Sequence, residues 1–246
     1  MKTNKKYAVF ILTHGRPDKV ITYNALRNNG YTGDIYLICD DEDKTLSEYK
    51  KIYKDKVIVF SKDKYSGTFD IMDNFDGNKV IVFARNACND IARSLELEYF
   101  FEYEDDYVNF SFRHEDGECL RSTSIKNLDL VFNEMINCLD STSVSTIAFA
   151  QGGDFIGGIN PFRKDVLKRK AMNSFLFKVN PESDKDLIFT GRMNDDVNTY
   201  LSNGKIGKLF FQVNNVCLVQ KRLRAALEET QRLTKIMGHM LNHFTQ

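Results

Sequence analysis

The chain opens on an apolar run that stops abruptly at a polar loop, and the same pattern recurs along its first half. Four such runs occur, at residues 7–13 (YAVFILT), 35–39 (IYLIC), 57–60 (VIVF) and 99–103 (YFFEY). Short apolar runs without alternation predict strands that are buried on both faces. Helical patterns separate them, at residues 18–28, 44–54 and 82–95. The alternation predicts an α/β fold with a mostly parallel central sheet and helices on both faces.

The second half is less regular. Residues 125–139 predict an amphipathic helix and residues 144–150 (VSTIAFA) another buried strand. Residues 186–189 and 208–213 are expected to be strands of a smaller mixed sheet. The end, at about 221–243, is helical by pattern. Because no boundary has a compositional signal, the chain is expected to form a single domain over 1–246.

Charge and composition exclude several classes of protein. The 246 residues carry 34 basic and 34 acidic side chains, so contact with nucleic acid would need a local basic patch. No stretch approaches the ~20 apolar residues of a membrane span. Five cysteines without metal-ligand spacing predict reduced thiols and a cytoplasmic protein. The oligomeric state has no signal in the sequence.

Three adjacent carboxylates, Glu104, Asp105 and Asp106, directly follow the fourth strand-like run. They repel one another unless a cation or strong donors neutralise them. Ligands of parallel α/β sheets lie at the carboxyl ends of the strands, where this triplet would sit. Mg²⁺ and Mn²⁺ favour carboxylates together with diphosphate oxygens. The alternative is a solvated acidic turn.

Other polar groups follow the remaining strands or begin helices. Arg85 and Asn86 lie near the predicted start of a helix, where an arginine can meet a diphosphate or pair with a surface carboxylate. Thr13 and Arg16 follow the first strand and Asp40 the second, as nucleoside ligands or as caps and turns. Asp195 and Asp196 could include a general base or simply begin a helix. His239 and His243 could lend a metal ligand, although histidines on a helix surface are commoner.

The order of these pieces resembles the GT-A class of glycosyltransferases. A closer likeness is to the phage TET-associated, or DNA-base, glycosyltransferases, and it covers roughly residues 10–200. The matching strings are THGRPDKVITYNALRNNGYTG, ARNACNDIA, FEYEDDY, AFAQGGDFIGG, RKAMNSF and GRMNDDVNTY. Glu104 stands where the class would have an aspartate, and the sequence beyond Gln220 does not align.

The resemblance implies roles for residues at matching positions. Residues 1–110 would form the nucleotide-binding half, and 111–246 the acceptor half with a C-terminal helix. Glu104 and Asp106 would hold Mn²⁺ or Mg²⁺. Asp196 would be the catalytic base if the reaction inverts the sugar configuration, with Asp195 as its substitute. The donor, a nucleotide-sugar and more specifically a UDP-sugar, would be bound by Thr13, Arg16, Asp40, Arg85 and Asp105.

The same resemblance implies that the acceptor is 5-hydroxymethylcytosine in DNA. The expected acceptor ligands are Gly152, Gly153, Asp154, Lys168, Arg169, Lys170 and Arg192. Glycines permit a close approach of the backbone to the substrate, and the basic residues suit DNA phosphates. A glycan, protein or lipid acceptor is the main alternative, and a non-catalytic module that binds a nucleotide or a metal is the other.

Overall fold

A single nine-stranded sheet organises the chain. The computed structural model describes residues 5–72, 80–155, 158–164 and 171–220. The strands are β1 (Tyr7–Leu12), β2 (Asp34–Asp40), β3 (Val57–Phe60), β4 (Tyr99–Glu104), β5 (Tyr107–Asp116), β6 (Cys119–Ser124), β7 (Val144–Gln151), β8 (Phe175–Lys178) and β9 (Leu209–Gln220). Their order across the sheet is β3-β2-β1-β4-β8-β7-β9-β5-β6. The predicted α/β class is confirmed.

Strands β3, β2, β1 and β4 form the parallel half, as the first four apolar runs predict. The helices α1 (Ile21–Asn28), α2 (Leu46–Tyr53) and α3 (Val82–Ser94) lie between these strands in the chain. Leu12 is in register with both Ile38 and Glu104, so the chain leaves β1 beside the ends of β2 and β4. The loops that carry the candidate ligands therefore meet at one edge of the sheet.

The second half of the sheet is mixed. β8 lies antiparallel between β4 and β7, whereas β7 pairs with β9 in parallel and β9 with β5 in antiparallel. The helices of this half are α4 (Leu128–Ser141), α5 (Ile159–Lys164) and α6 (Asp195–Lys205). In the described chain the second-half strands join the main sheet, so the expectation of a separate smaller sheet is wrong.

Residues 186–189 form no strand, which is a second correction. Leu187 and Phe189 are buried in the core, and this explains the apolar pattern of the segment. The backbone N–H and C=O of Phe189, however, bond to the side chain of Asn86 instead of to a neighbouring strand. The predicted strand at 208–213 is the first half of β9.

The core has one layer on each side of the sheet. One layer packs α1, α2 and α4 against the sheet through residues such as Leu26, Tyr49 and Phe132. The other packs α3 against the opposite face through Phe83, Cys88 and Ile91. No helix among the described residues is long and apolar enough to cross a membrane. The predicted C-terminal helix, with His239 and His243, lies outside the described residues.

Candidate active site

A cleft of about 370 Å³ opens at the carboxyl ends of β1, β2 and β3. Its apolar walls come from the strand ends, with Ile38 and Phe60, and from the start of α3, with Ile81 and Ala84. Its polar lining contains three of the predicted donor ligands, Thr13, Arg16 and Asp40, together with His14 and Lys62. Apolar walls with a few polar groups at one end suit a planar base attached to a polar sugar.

Asp40 is held by two cationic or potentially cationic side chains. His14 Nδ1 lies 2.6 Å from Asp40 Oδ2, and Lys62 Nζ lies 2.9 Å from Asp40 Oδ1 and 3.1 Å from Glu42. Burial lowers the pKa of Lys62, but the hydrogen bonds that its ammonium donates to Asp40 and Glu42 outweigh this effect and leave the pKa raised. The sequence analysis missed Lys62, although it follows β3 by two residues and the strand-end rule applies to it.

Asp105, the middle carboxylate of the triplet, is buried, and the loop after β1 donates hydrogen bonds to one of its oxygens and forms an ion pair with the other, which has no hydrogen-bond partner among the described residues. Thr13 Oγ1 donates a 2.6 Å hydrogen bond to Asp105 Oδ2, and Arg16 Nε donates one of 2.9 Å to the same oxygen. Arg16 Nη2 lies 2.8 Å from the other oxygen, Oδ1. Burial nevertheless keeps the pKa of Asp105 above its usual value. Three predicted donor ligands thus form one connected unit.

Glu104 and Asp106 differ in their surroundings. Glu104 accepts hydrogen bonds from Arg85 Nη2 at 3.0 Å and from Gln220 Nε2 at 2.9 Å. Burial raises its pKa to about 7 in spite of Arg85. Oδ1 of Asp106 is buried without a hydrogen-bond partner in the described part of the chain, and burial also raises the pKa of Asp106. The orphaned oxygen is a group that a cation would satisfy.

No cluster of three or more metal-ligating side chains exists within the described residues. A metal at the triplet would therefore take at most two described protein ligands, Glu104 and Asp106. That donor set fits Mg²⁺ or Mn²⁺, which commonly combine one or two carboxylates with substrate phosphates.

Arg85 lies inside the protein, with only 1% of its side chain exposed. Its nitrogens lie 2.7 Å from Glu102, 3.0 Å from Glu104 and 2.6 Å from Asp195. The faces of Phe175 and Phe189 cover the guanidinium at 5.4 and 5.2 Å. Burial lowers the pKa of Arg85, but the three carboxylates raise it well above its usual value. The predicted contact with a donor diphosphate stays a prediction.

The acidic pair at residues 195–196 begins α6, as expected. Asn194, the N-cap, is in the left-handed region at φ 53°. Asp195 faces Arg85, whereas Asp196 is buried and accepts a 2.8 Å hydrogen bond from the backbone N–H of Val197. Burial and the charge of Asp195 raise the pKa of Asp196 above the usual value of an aspartate. A buried carboxylate with a raised pKa is suited to general base chemistry.

Side chains of β5 and β9 brace the Gly-rich loop after β7. Arg113 Nη2 donates hydrogen bonds to the carbonyls of Gln151 at 2.5 Å and Gly152 at 3.3 Å. Oδ2 of Asp154 accepts from the backbone N–H of Gln151 at 2.9 Å and from Gln212 at 3.0 Å. A Cβ at Gly152 would come within 3.2 Å of the carbonyl oxygen of Leu218, so the backbones approach closely there.

Only some of the expected acceptor residues lie within the part of the chain that the structure describes. Gly152, Gly153 and Asp154 lie together in the braced loop, where Gly153 has open space around it. Arg192 is half-buried and precedes α6. Lys168, Arg169 and Lys170 lie outside the described residues. Sequence reasoning missed Arg113 and Gln212, because nothing in a single strand pattern indicates which loop a buried polar side chain supports.

Comparisons with known proteins agree with this geometry. A sequence model of the family described as TET-Associated Glycosyltransferase matches residues 7–227. Glucosyl-3-phosphoglycerate synthase from Mycobacterium tuberculosis, solved with Mg²⁺ and uridine diphosphate, has a TM-score of 0.54 at 7% identity, covering 93% of this chain and 75% of its own.

The same Mycobacterium tuberculosis enzyme, solved with Mn²⁺ and UDP-glucose, has a TM-score of 0.52 at 8% identity, covering 94% of this chain and 77% of its own. At such identities the likeness shows the fold alone, and the expected GT-A architecture is confirmed. A search of curated proteins gave no match.

Proposed function

We propose that this chain, which belongs to the TET-associated glycosyltransferase family, moves a sugar from a nucleotide-sugar, specifically a UDP-sugar, to 5-hydroxymethylcytosine in DNA. The observation that carries the proposal is the convergence of three parts at one edge of the sheet. These parts are the cleft after β1–β3, the acidic triplet after β4, and the acidic pair at the start of α6. Arg16 joins the cleft to Asp105, and Arg85 joins Glu104 to Asp195. The three parts would serve as a donor site, a leaving-group site and a general base.

The donor would bind with its base in the cleft and its diphosphate towards the triplet. The apolar walls of the cleft offer two faces for a planar base, while Asp40, His14 and Lys62 offer polar groups to its edge or to the ribose. Thr13 and Arg16, which line the cleft, donate hydrogen bonds to Asp105 and so link the cleft to the triplet. The likeness to enzymes solved with UDP and UDP-glucose supports a uridine nucleotide.

Glu104 and Asp106 would hold one Mn²⁺ or Mg²⁺, completed by oxygens of the donor diphosphate. When bound, the ion neutralises the charge that develops on the departing nucleoside diphosphate. Asp106 supports this assignment through its buried, unpartnered Oδ1.

Asp196 would take the proton from the acceptor hydroxyl as that oxygen attacks the anomeric carbon of the donor. The new C–O bond forms as the bond from the sugar to the diphosphate breaks, and the leaving diphosphate carries away the electron pair. Direct attack inverts the configuration of the sugar. The burial of Asp196 supports this role, because it raises the pKa of the carboxylate towards working pH.

The acceptor assignment rests on the family and on the local arrangement of basic residues. Position 5 of cytosine points into the major groove, so its hydroxymethyl group is accessible without base flipping. The braced loop with Gly152, Gly153 and Asp154 would approach that group, and Lys168, Arg169, Lys170 and Arg192 would contact phosphates. Residues 1–110 would then serve the donor, and residues 111–246 the acceptor.

Mass spectrometry of digested DNA tests the proposal. The purified chain is incubated with Mn²⁺, a panel of UDP-sugars, and duplexes that differ only in carrying cytosine, 5-methylcytosine or 5-hydroxymethylcytosine. A mass increase of one sugar is expected on hydroxymethylcytosine alone, and not with Asp196→Asn. Transfer to glycan, peptide or lipid acceptors, with none to hydroxymethylated DNA over the whole panel, would overturn the DNA assignment and leave the donor chemistry standing.

A further inference from the structure

We infer that Arg85 is a positioning residue, which fixes the acidic pair of α6 relative to the triplet and does not itself contact the donor diphosphate. The inference rests on the proposed function, from which it takes the roles of the acidic triplet and of the acidic pair. It deepens that function, because it makes one buried guanidinium responsible for the distance between the leaving-group site and the base.

The first support is the enclosure of Arg85. Each of Nε, Nη1 and Nη2 lies within 3.0 Å of a carboxylate oxygen, and two phenylalanine rings cover the guanidinium. Ala84, its neighbour, lines the donor cleft, whereas Arg85 is absent from the lining of that cleft. A diphosphate would have to displace a carboxylate from a buried ion pair to reach this side chain, and that displacement would strand a charge.

The second support is the origin of the three carboxylates. Glu102 belongs to β4 and is completely buried, so it anchors Arg85 to the centre of the sheet. Glu104 is the first member of the triplet, and Asp195 is the first residue of α6. The contacts to Glu102 and Glu104 are hydrogen bonds, and the contact from Nε to Asp195 is an ion pair at 2.6 Å. The planar guanidinium engages three carboxylates at once, which the ammonium of lysine cannot reproduce. Arg85 therefore sets where Asp195 lies relative to Glu104.

The third support is independent of charge. Asn86 Nδ2 donates a 3.0 Å hydrogen bond to the carbonyl of Phe189, and Asn86 Oδ1 accepts one of 2.8 Å from the N–H of the same residue. Both bonds are buried, and they hold the segment that leads into α6. Asn86 thus contacts the segment before α6, and Arg85 contacts Asp195, the first residue of α6. Both contacts therefore hold the start of α6, where Asp196 lies.

The test compares Arg85→Lys with Arg93→Lys. Arg93 lies on the same helix and also contacts two carboxylates, Asp90 and Asp186, but it is not near the cleft. UDP affinity is measured by calorimetry in EDTA, where the metal site makes no contribution. A positioning role predicts that Arg85→Lys leaves this affinity within about twofold and lowers kcat about 100-fold, because a misplacement of about 1 Å costs that much. Arg93→Lys should keep wild-type kcat.

Two outcomes would overturn the inference. One is a loss of UDP affinity of about tenfold or more in EDTA with kcat preserved, which would make Arg85 a donor ligand. The other comes from a double-mutant cycle with Asp195→Asn. If Arg85 and Asp195 act as one unit, the kcat of the double variant should be no lower than that of the slower single variant. If the two losses in kcat multiply in the double variant, the two residues have independent roles.

A readout that does not depend on turnover separates this inference from the proposed function. Hydrogen exchange of residues 189–199 should be faster in Arg85→Lys than in the wild-type protein or in Arg93→Lys. Unchanged exchange in that segment would refute the positioning role even in an active enzyme. Faster exchange in a protein that glycosylates none of the acceptors would support the positioning role and refute the proposed transfer reaction.

Discussion

The hydroxyl of Thr13, one residue beyond β1, donates a 2.6 Å hydrogen bond to Asp105, one residue beyond β4. The two strands are neighbours in register, so the ends of both reach the same point at the edge of the sheet. Tyr49 of α2 lies 2.7 Å from the same hydroxyl. The loop after β1 and the acidic triplet are therefore parts of one hydrogen-bonded network.

Lys62→Met should weaken UDP binding by about 1.5–3 kcal/mol, the usual worth of a charged hydrogen bond. Without the ammonium group, the carboxylates of Asp40 and Glu42 would be less neutralised and would repel a diphosphate more strongly. Calorimetry checks the change, with Lys44→Met as control because Lys44 is exposed and outside the cleft. Equal UDP affinity in both variants would exclude Lys62 from the donor site.

Asp106→Ala should abolish the gain in UDP affinity that Mn²⁺ gives to the wild-type protein. The fold should survive, because the removed carboxylate is half-buried and raises the pKa of Glu104 by repulsion. Calorimetry with and without Mn²⁺ measures the gain, and Asp116→Ala, an exposed acid on the β5–β6 hairpin, is the control. Full transfer activity of the wild-type protein in excess EDTA would contradict metal dependence.

Asp196→Asn should lower kcat by about 10²–10⁴-fold, the usual contribution of a general base, with UDP affinity unchanged. The pH profile gives a second check. Burial raises the pKa of Asp196, and the base works when deprotonated, so activity should disappear as pH falls through this raised pKa. The acid limb of kcat/KM should lie above about pH 3.9, the ordinary value for aspartate. A limb at or below that value would argue against Asp196.

Asp90→Asn should lower the free energy of unfolding at pH 7 by about 1 kcal/mol, after allowance for solvent screening at a site that is one-third exposed. Burial raises the pKa of Asp90, but hydrogen bonds from Lys64, Arg93 and Tyr65 outweigh it and hold the pKa at about 2. A carboxylate whose pKa is lower in the folded than in the unfolded protein stabilises the fold at pH values above its unfolded pKa. This stabilisation is lost as the pH falls towards 2. Urea unfolding from pH 7 to pH 2.5 should therefore show the two proteins converging, and a constant difference would contradict the assignment.

Binding to hydroxymethylated DNA should fall steeply with salt, and replacing Lys168, Arg169 and Lys170 by alanine should reduce the slope by about 2.7. Each lost phosphate contact removes about 0.9 from the slope of log affinity against log salt concentration. Fluorescence anisotropy over a salt series measures it, with the exposed lysines at 50, 51 and 205 replaced by alanine as control. An unchanged slope in the triple variant would exclude this basic run from the DNA interface.

The parallel half of the fold could be predicted from the sequence because its strands are buried on both faces. Their apolar runs, at residues such as 7–13 and 35–39, match β1 and β2 closely. β8 was missed because its apolar run, FLF, is only three residues long, one shorter than the VIVF run of β3. Residues 186–189 gave a false strand because burial of Leu187 and Phe189 produces the same signal as a strand, while the backbone bonds to Asn86.

The location of the candidate site could also be predicted, but its internal contacts could not. The strand-end rule indicates where Asp40 and Asp105 lie, since it needs only local pattern. Which groups face each other depends on pairing between distant segments. Arg85 illustrates this, because its predicted position at the start of a helix says nothing about the three carboxylates that surround it.

The hydrogen bonds between Asn86 and Phe189 join residues that are 103 positions apart in the chain. A ribosome synthesises roughly 5–20 residues per second, so the partner of Asn86 emerges seconds after Asn86 itself. When Phe189 emerges, the growing chain already contains β1, β2, β3 and β4, but it still lacks Asp196. The strands around the cleft and the acidic triplet are therefore synthesised early, and Asp196, the proposed base, is added late.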